Sequence, residues 1–582
     1  MQYKISYSNP QRHYIDIECT IENISLPQLE VSLPSWRPGR YELGNFAKNI
    51  QYFKVFNSKG VPLSFQKITK DRWLIQTKGD SVVQIKYNYY AAELNAGSTW
   101  LDEHQLYVNP INCLLYCDEK MDVPCRVEVT LPVGYRLAGA LKVIDTDKHD
   151  EHITYKAISP DYHTLVDTPF IGSRHIQHNL FVLDGVEFNV WFQGECKPDW
   201  AKVVGDFFIF INEQFLLFKS FPAECYHFLI QVLPYPFYHG VEHAESTVIA
   251  IGPSYNLMRK ELYDELLGVS SHELFHTWNV KNIRPKEMLP YQYKCENYAT
   301  TGYVYEGVTT YYGDLLLYRS GIFSDNDYFR TFNQQIQKHL DNHGRFNYSV
   351  AQSSFDTWLD GYVPGVPDRK VSIYTEGCLL AFIADANIRK QTANKASLDQ
   401  VMHTLYHDFG KNNIGYTAHD YQTIIEHLTG ADWNNYFMQL VEGTTSYLEA
   451  FSESLAYFGL ELSMVPSRKP YESFLGFKAG EINNETIVQN IYPGSIAQVA
   501  GLSVKDKITA VNGFEVKNNL NEWCNYFWRE TFILSVITEG KIREITLTPG
   551  KTMYYKTYQV IKSDSATPEQ AENFRNWSGR KF

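Results

Sequence analysis

His272-Glu273-Leu274-Phe275-His276 places two imidazoles four residues apart with a carboxylate beside the first. On a helix, residues four apart share a face, so both rings can turn a nitrogen to one ion while Glu273 stands next to it. That arrangement is the core of a hydrolytic zinc site, with the carboxylate as the base that moves a water proton. Around it, Leu262, Leu266, Val269 and Phe275 recur at helical spacing, and the pattern predicts a helix from about Glu261 to Asn279. A catalytic zinc needs a third protein ligand on another element. Glu306, in Tyr305-Glu306-Gly307-Val308-Thr309-Thr310-Tyr311-Tyr312, precedes a second helical run and is the candidate. The competing reading of that Glu is an acidic residue at a helix N-terminus, favoured by the helix dipole.

The run HELFHTWNVKNIRP, followed by YEGVTTYY, resembles the M61 family of zinc peptidases, the glycyl aminopeptidases, which belong to the gluzincins. The resemblance implies one catalytic zinc on His272, His276 and Glu306, with Glu273 as base. Two further segments extend it. Gly240-Val241-Glu242-His243 is similar to the family's Gly-Gly-x-Glu-His segment, which implies that Glu242, with Gly240 and Val241, binds the free amino group of a peptide substrate. Val241 stands where a second glycine is usual, and a narrower amine pocket is the expectation. Ser246 to Ile251 alternates as a strand, which puts Glu242 just ahead of it on a cleft wall, where a carboxylate can pair with an ammonium group. Tyr374-Thr375-Glu376-Gly377 resembles a Tyr-x-Lys-Gly helix start of the superfamily, which implies Tyr374 as hydrogen-bond donor to the oxyanion, with Glu376 in place of the Lys.

These groups need a scaffold, and 582 residues exceed what one core organises. The fold class expected is multidomain α+β. Residues 1–169 alternate as an N-terminal β-sandwich (Ile15, Ile17, Cys19, Ile21; Val83, Ile85, Tyr87, Tyr89; Val127, Val129, Leu131). Trp36-Arg37-Pro38-Gly39-Arg40-Tyr41 is similar to a Trp-x-Pro-Gly-x-Tyr turn of the family; it is read first as structural, and the resemblance also admits it as a wall of the cleft. Residues 170–455 are expected to form a thermolysin-like catalytic domain with a helical continuation, including a surface loop from Gly361 to Asp368 near Tyr374. Residues 465–552 resemble a PDZ domain through Phe474-Leu475-Gly476-Phe477, Pro493-Gly494-Ser495, Ala500-Gly501-Leu502 and Asp506 to Gly513. Its loop, Leu475, Gly476 and Phe477, is the candidate binder of a peptide C-terminus, and docking of the module within the chain is the alternative. Residues 553–582 read as a polar tail, disordered or loosely packed.

A formal charge of −13 without a basic block points away from nucleic acid. The start carries no secretory pattern and no apolar run reaches a membrane span, so no membrane association is expected. Nine scattered cysteines fit reduced thiols, and the expected location is cytoplasmic. The activity expected is a zinc aminopeptidase releasing a small N-terminal residue, Gly or Ala. The alternatives are a zinc endopeptidase and a PDZ-bearing peptide-binding scaffold with a non-catalytic peptidase fold.

Overall fold

A computed structural model describes residues 1–363 and 365–582, so Pro364 of the expected Gly361–Asp368 loop lies outside the described residues. The first third is β-rich. A seven-stranded sheet runs in the order Val143–Lys148, His152–Ser159, Cys125–Pro132, Gln2–Ser6, Tyr14–Glu22, Val82–Tyr90, Ile50–Asn57. Strict alternation buries Ile15, Ile17, Cys19 and Ile21 on one face, the pattern of a sheet with one dry side. Three-stranded and four-stranded sheets complete this region.

The catalytic region begins with a five-stranded sheet ordered Gln177–Leu183, Val186–Gln193, Cys225–Val232, Ser246–Gly252, Phe237–Glu242. The helix Lys260–Phe275 packs against its last two strands, burying Leu262, Leu266, Val269 and Phe275. Helices follow at Thr309–Arg319, Asp325–Asp341 and Ile373–Thr392. Trp36 joins the two regions: its Nε1 donates to the Gln292 carbonyl at 2.8 Å, and its ring meets Tyr291 and Trp358 edge-on.

The C-terminal sheet, with its own apolar core around Phe477, Val511, Leu534 and Val536, is framed by a ladder of Leu460–Pro466 against Lys556–Lys562. The chain enters the module on one strand of that ladder and leaves on the other. Residues 553–582 are therefore not a loose tail. Lys556–Lys562 is paired, and Thr567 caps a helix over Pro568–Ser578 through a capping box. Phe574 and Trp577 sit fully buried, and Trp577 Nε1 donates to the Tyr311 hydroxyl at 2.8 Å. Two aromatic residues three apart on a capped helix outweigh the polar composition of the segment.

Candidate active site

The histidine helix ends sooner than its periodicity predicts. His276 is its C-cap residue, and the chain then tightens, with the Val280 and Lys281 N–H groups both donating to the His276 carbonyl. That tight turn brings the Asn279 carbonyl onto His276 Nδ1 at 2.7 Å. With Nδ1–H donating there, the Nε2 lone pair is the one turned to the site. His272 Nε2 lies 3.0 Å from His276 Nε2, and Glu306 Oε2 lies 3.3 Å from His276 Nε2 and 3.8 Å from His272 Nε2.

Glu306 does not sit on a plain α-helix. Residues Tyr303–Val308 form a π-helical turn ahead of Thr309–Arg319, a local expansion common where a side chain must be re-aimed. Gly307 of that turn faces Gly377 backbone to backbone, and a Cβ on either would collide with the other's Cα. This close approach brings the start of the Ile373–Thr392 helix, and Tyr374 with it, to the ligand cluster. The rings of Tyr374 and His272 lie 6.5 Å apart, roughly parallel. Glu376 accepts from His339 Nδ1 at 2.8 Å, so the carboxylate found in place of the family's Lys is a buried partner of histidine.

Gly240, Val241 and Glu242 end a strand of their own, which forms a hairpin with Ser246–Gly252. Strand alternation decides their roles. Gly240 and Glu242 line the cleft, whereas Val241 points to the opposite face and packs with Leu229, Val248 and Trp191. Val241 therefore touches no amine pocket and cannot narrow it. Gly240 is required for space, because a Cβ there would overlap the Glu273 carboxylate.

The cleft, of about 780 Å³, is lined by Glu242, His272, Glu273, His276, Glu306 and Tyr374 and continues along Gln334, Gln335 and Lys338 of the Asp325–Asp341 helix. Burial pushes the carboxyls of Glu273 and Glu306 up and holds His272 well below the ordinary imidazole value. Burial also disfavours charge on His276, but Glu306 beside it outweighs this and holds it at about 10. Glu242 Oε1 and Glu273 Oε2 are buried without a hydrogen-bond partner among the described residues. Two imidazoles and a carboxylate converging on the cleft wall, flanked by two more carboxylates, fit a zinc ion by donor type.

Family models match the chain at three places: Peptidase M61 N-terminal domain over residues 2–174, M61 glycyl aminopeptidase over 265–380, and PDZ domain over 456–523. The chain belongs to the M61 peptidases. This M61 chain is a peptidase with a PDZ domain. Its fold is shared with an aminopeptidase N family protein from Idiomarina loihiensis, at a TM-score of 0.90 and 24% identity over 99% of both chains. An M1 zinc metallopeptidase variant from Deinococcus radiodurans bound to a Tyr-Ser-Ala substrate aligns at a TM-score of 0.49 and 13% identity, over 76% of this chain and 94% of that one. No curated protein matches the sequence.

The cleft has further neighbours, one group admitted by the sequence reading and one outside it. The Trp36–Tyr41 turn does more than brace the domains: Gly39, at φ +81°, lines the cleft against the Glu242 carboxylate, and the Tyr41 ring packs 5.2 Å from that of Tyr305, the residue before Glu306. Tyr362 accepts from the Tyr41 N–H at 3.2 Å. The turn motif was the available signal for Gly39 and Tyr41; Tyr362 had none. In the PDZ loop, the Gly476 N–H donates to the Tyr471 carbonyl at 2.9 Å, so it is not turned outward for a peptide carboxylate.

Proposed function

We propose that this site is a zinc aminopeptidase centre releasing the N-terminal residue of a peptide, with Gly or Ala preferred. The observation that carries the reading is a short separation: a carboxylate oxygen of Glu242, one of Glu273 and a ring nitrogen of His276 all lie within 4.8 Å of one another. Bond lengths put the first carbonyl carbon of a peptide about 2.5 Å from its amine nitrogen, and the next carbonyl about 3.8 Å beyond. An ammonium group paired with Glu242 therefore brings the first peptide bond to His276 and Glu273. The second stays out of reach.

His272, His276 and Glu306 would hold the zinc, which when bound supplies Lewis acidity to the scissile carbonyl and to water. Glu273, raised by burial and within reach of both, takes the water's proton and returns it to the leaving amine. Tyr374 donates its hydroxyl to the developing oxyanion; burial holds this phenol well above its ordinary value, so it stays protonated for the task. Glu242 selects chain ends, since its buried, unpartnered oxygen is satisfied by an ammonium and not by an acylated nitrogen. The preference for small residues is supported by the glycyl aminopeptidase description of the matching family model. A cytoplasmic setting is supported by nine free cysteines; among the described residues no helix is long and apolar enough to cross a membrane.

The test uses dipeptide amides of Gly, Ala and Leu with free and acetylated N-termini. Turnover is expected on free amines alone, Gly and Ala fastest, and Glu242→Gln is expected to lower kcat/KM on them by roughly 10- to 100-fold, the worth of one charge-assisted bond. Equal cleavage of free and acetylated substrates by the unaltered enzyme would exclude the amine-anchored reading.

A further inference from the structure

A half-buried carboxylate outside the cleft ties its two halves together. Asp167 follows the short helix Tyr162–Val166 of the N-terminal region and precedes the strand Phe170–Ser173. Its Oδ1 accepts from His243 Nδ1 at 3.0 Å and from Lys281 Nζ at 2.8 Å, while its Oδ2 accepts from the Ala244 N–H at 2.9 Å. His243 is 4% exposed and Lys281 7%, while the Asp167 side chain keeps 18% of its surface, so both donors are buried against a half-buried carboxylate. Lys281 has Asp167 as its only ion-pair partner among the described residues. Removing one member of such a pair leaves a buried charge uncompensated.

The position of the two donors gives the cluster its meaning. His243 is the residue after Glu242, and with Ala244 it forms the turn between Phe237–Glu242 and Ser246–Gly252. Lys281 lies five residues after His276, and its own N–H donates to the His276 carbonyl at 2.9 Å. One carboxylate from the N-terminal region thus clamps the turn carrying Glu242 to the segment closing the helix that carries His272, Glu273 and His276. The separation fixed by this clamp is the one that measures a substrate's amine against its first carbonyl.

We infer that Asp167 is a positioning residue for Glu242, acting through His243 and Lys281, so that the N-terminal region sets how tightly a free amine is held. The inference rests on the reading of Glu242 as the amine anchor. Preorganisation of this kind is sensitive: a displacement of about 1 Å in a positioning group can cost on the order of 100-fold.

The experiment uses full-length, zinc-quantified protein and free-amine dipeptide amides, with the N-acetylated amides as competitive inhibitors. Asp167→Asn and His243→Leu are expected to raise KM for free amines about tenfold or more while kcat changes less than about threefold, with zinc content unchanged. His243→Asn, which keeps a donor in the place of Nδ1, is expected to restore KM to near the original value. Inhibition by acetylated amides is expected to be unaffected by any of them. A purely structural role would lower kcat in proportion to folded protein and leave KM alone, and that result would overturn the inference; the His243 pair decides it if Asp167→Asn fails to fold. Glu242→Gln, run in parallel, separates the two levels. Unless it weakens the handling of free amines more than that of acetylated ones, the amine anchor itself is wrong. If it does, and neither Asp167→Asn nor His243→Leu moves KM, only the positioning role falls.

Discussion

The catalytic cleft and the PDZ loop are both legible as motifs, yet the structure leaves them in opposite states. In the cleft, Glu242 Oε1 and Glu273 Oε2 are buried without partners among the described residues, and Gly39 and Gly240 leave the space the two carboxylates occupy. In the PDZ loop, the Gly476 N–H is already bonded to Tyr471, and Tyr492 donates its N–H to the Gly476 carbonyl at 2.8 Å. Buried polar groups without partners cost free energy unless a ligand satisfies them. A site that carries that cost is built to receive something, whereas a loop whose groups are bonded internally has to exchange one bond for another.

The sharpest way to break this contrast is at the metal ligands. His276→Ala is expected to abolish both stoichiometric zinc and turnover, while Glu273→Gln keeps zinc and loses about 10²- to 10⁴-fold in kcat, the worth of a general base. Retention of one tightly bound zinc by His276→Ala, measured by metal analysis, would place the centre elsewhere. Tyr374→Phe comes next. It removes one oxyanion donor and is expected to lower kcat by about 10²- to 10³-fold with KM nearly constant. A fall confined to KM would make Tyr374 a binding residue instead. The smallest effect belongs to the PDZ loop: the Gly476 amide is expected to be protected in native-state hydrogen exchange, and peptides with free C-termini are expected to leave turnover unchanged. Fast exchange at Gly476, or saturable activation by such peptides, would erase the difference between the two regions.

What the sequence disclosed follows the range of the forces involved. The pairing of His272 with His276 depends only on helical geometry, and the alternating Ile15, Ile17, Cys19 and Ile21 are all buried on one face of their strand, as period two requires. Val241 was misplaced because only the strand from Ser246 was foreseen; Phe237–Glu242 is a strand as well, and period two sends Val241 away from the cleft. Glu306 was legible as a candidate ligand, but its π-helical turn was not, since that geometry answers to the contact of Gly307 with Gly377, 70 residues further along the chain. Asp167 left no local trace at all. Its role is visible only when three distant segments meet.

The ladder of Leu460–Pro466 with Lys556–Lys562 has a consequence for the order in which the molecule becomes competent. The helix beyond it sends Trp577 to Tyr311, whose hydroxyl donates to Asp385 at 2.7 Å, bracing the helix behind Glu306 against the helix that begins with Tyr374. A ribosome delivers His272, Glu306 and Tyr374 first, then the whole PDZ module, and the brace last of all. A nascent chain can therefore hold every residue of the proposed chemistry and still lack the support that sets two of them in register.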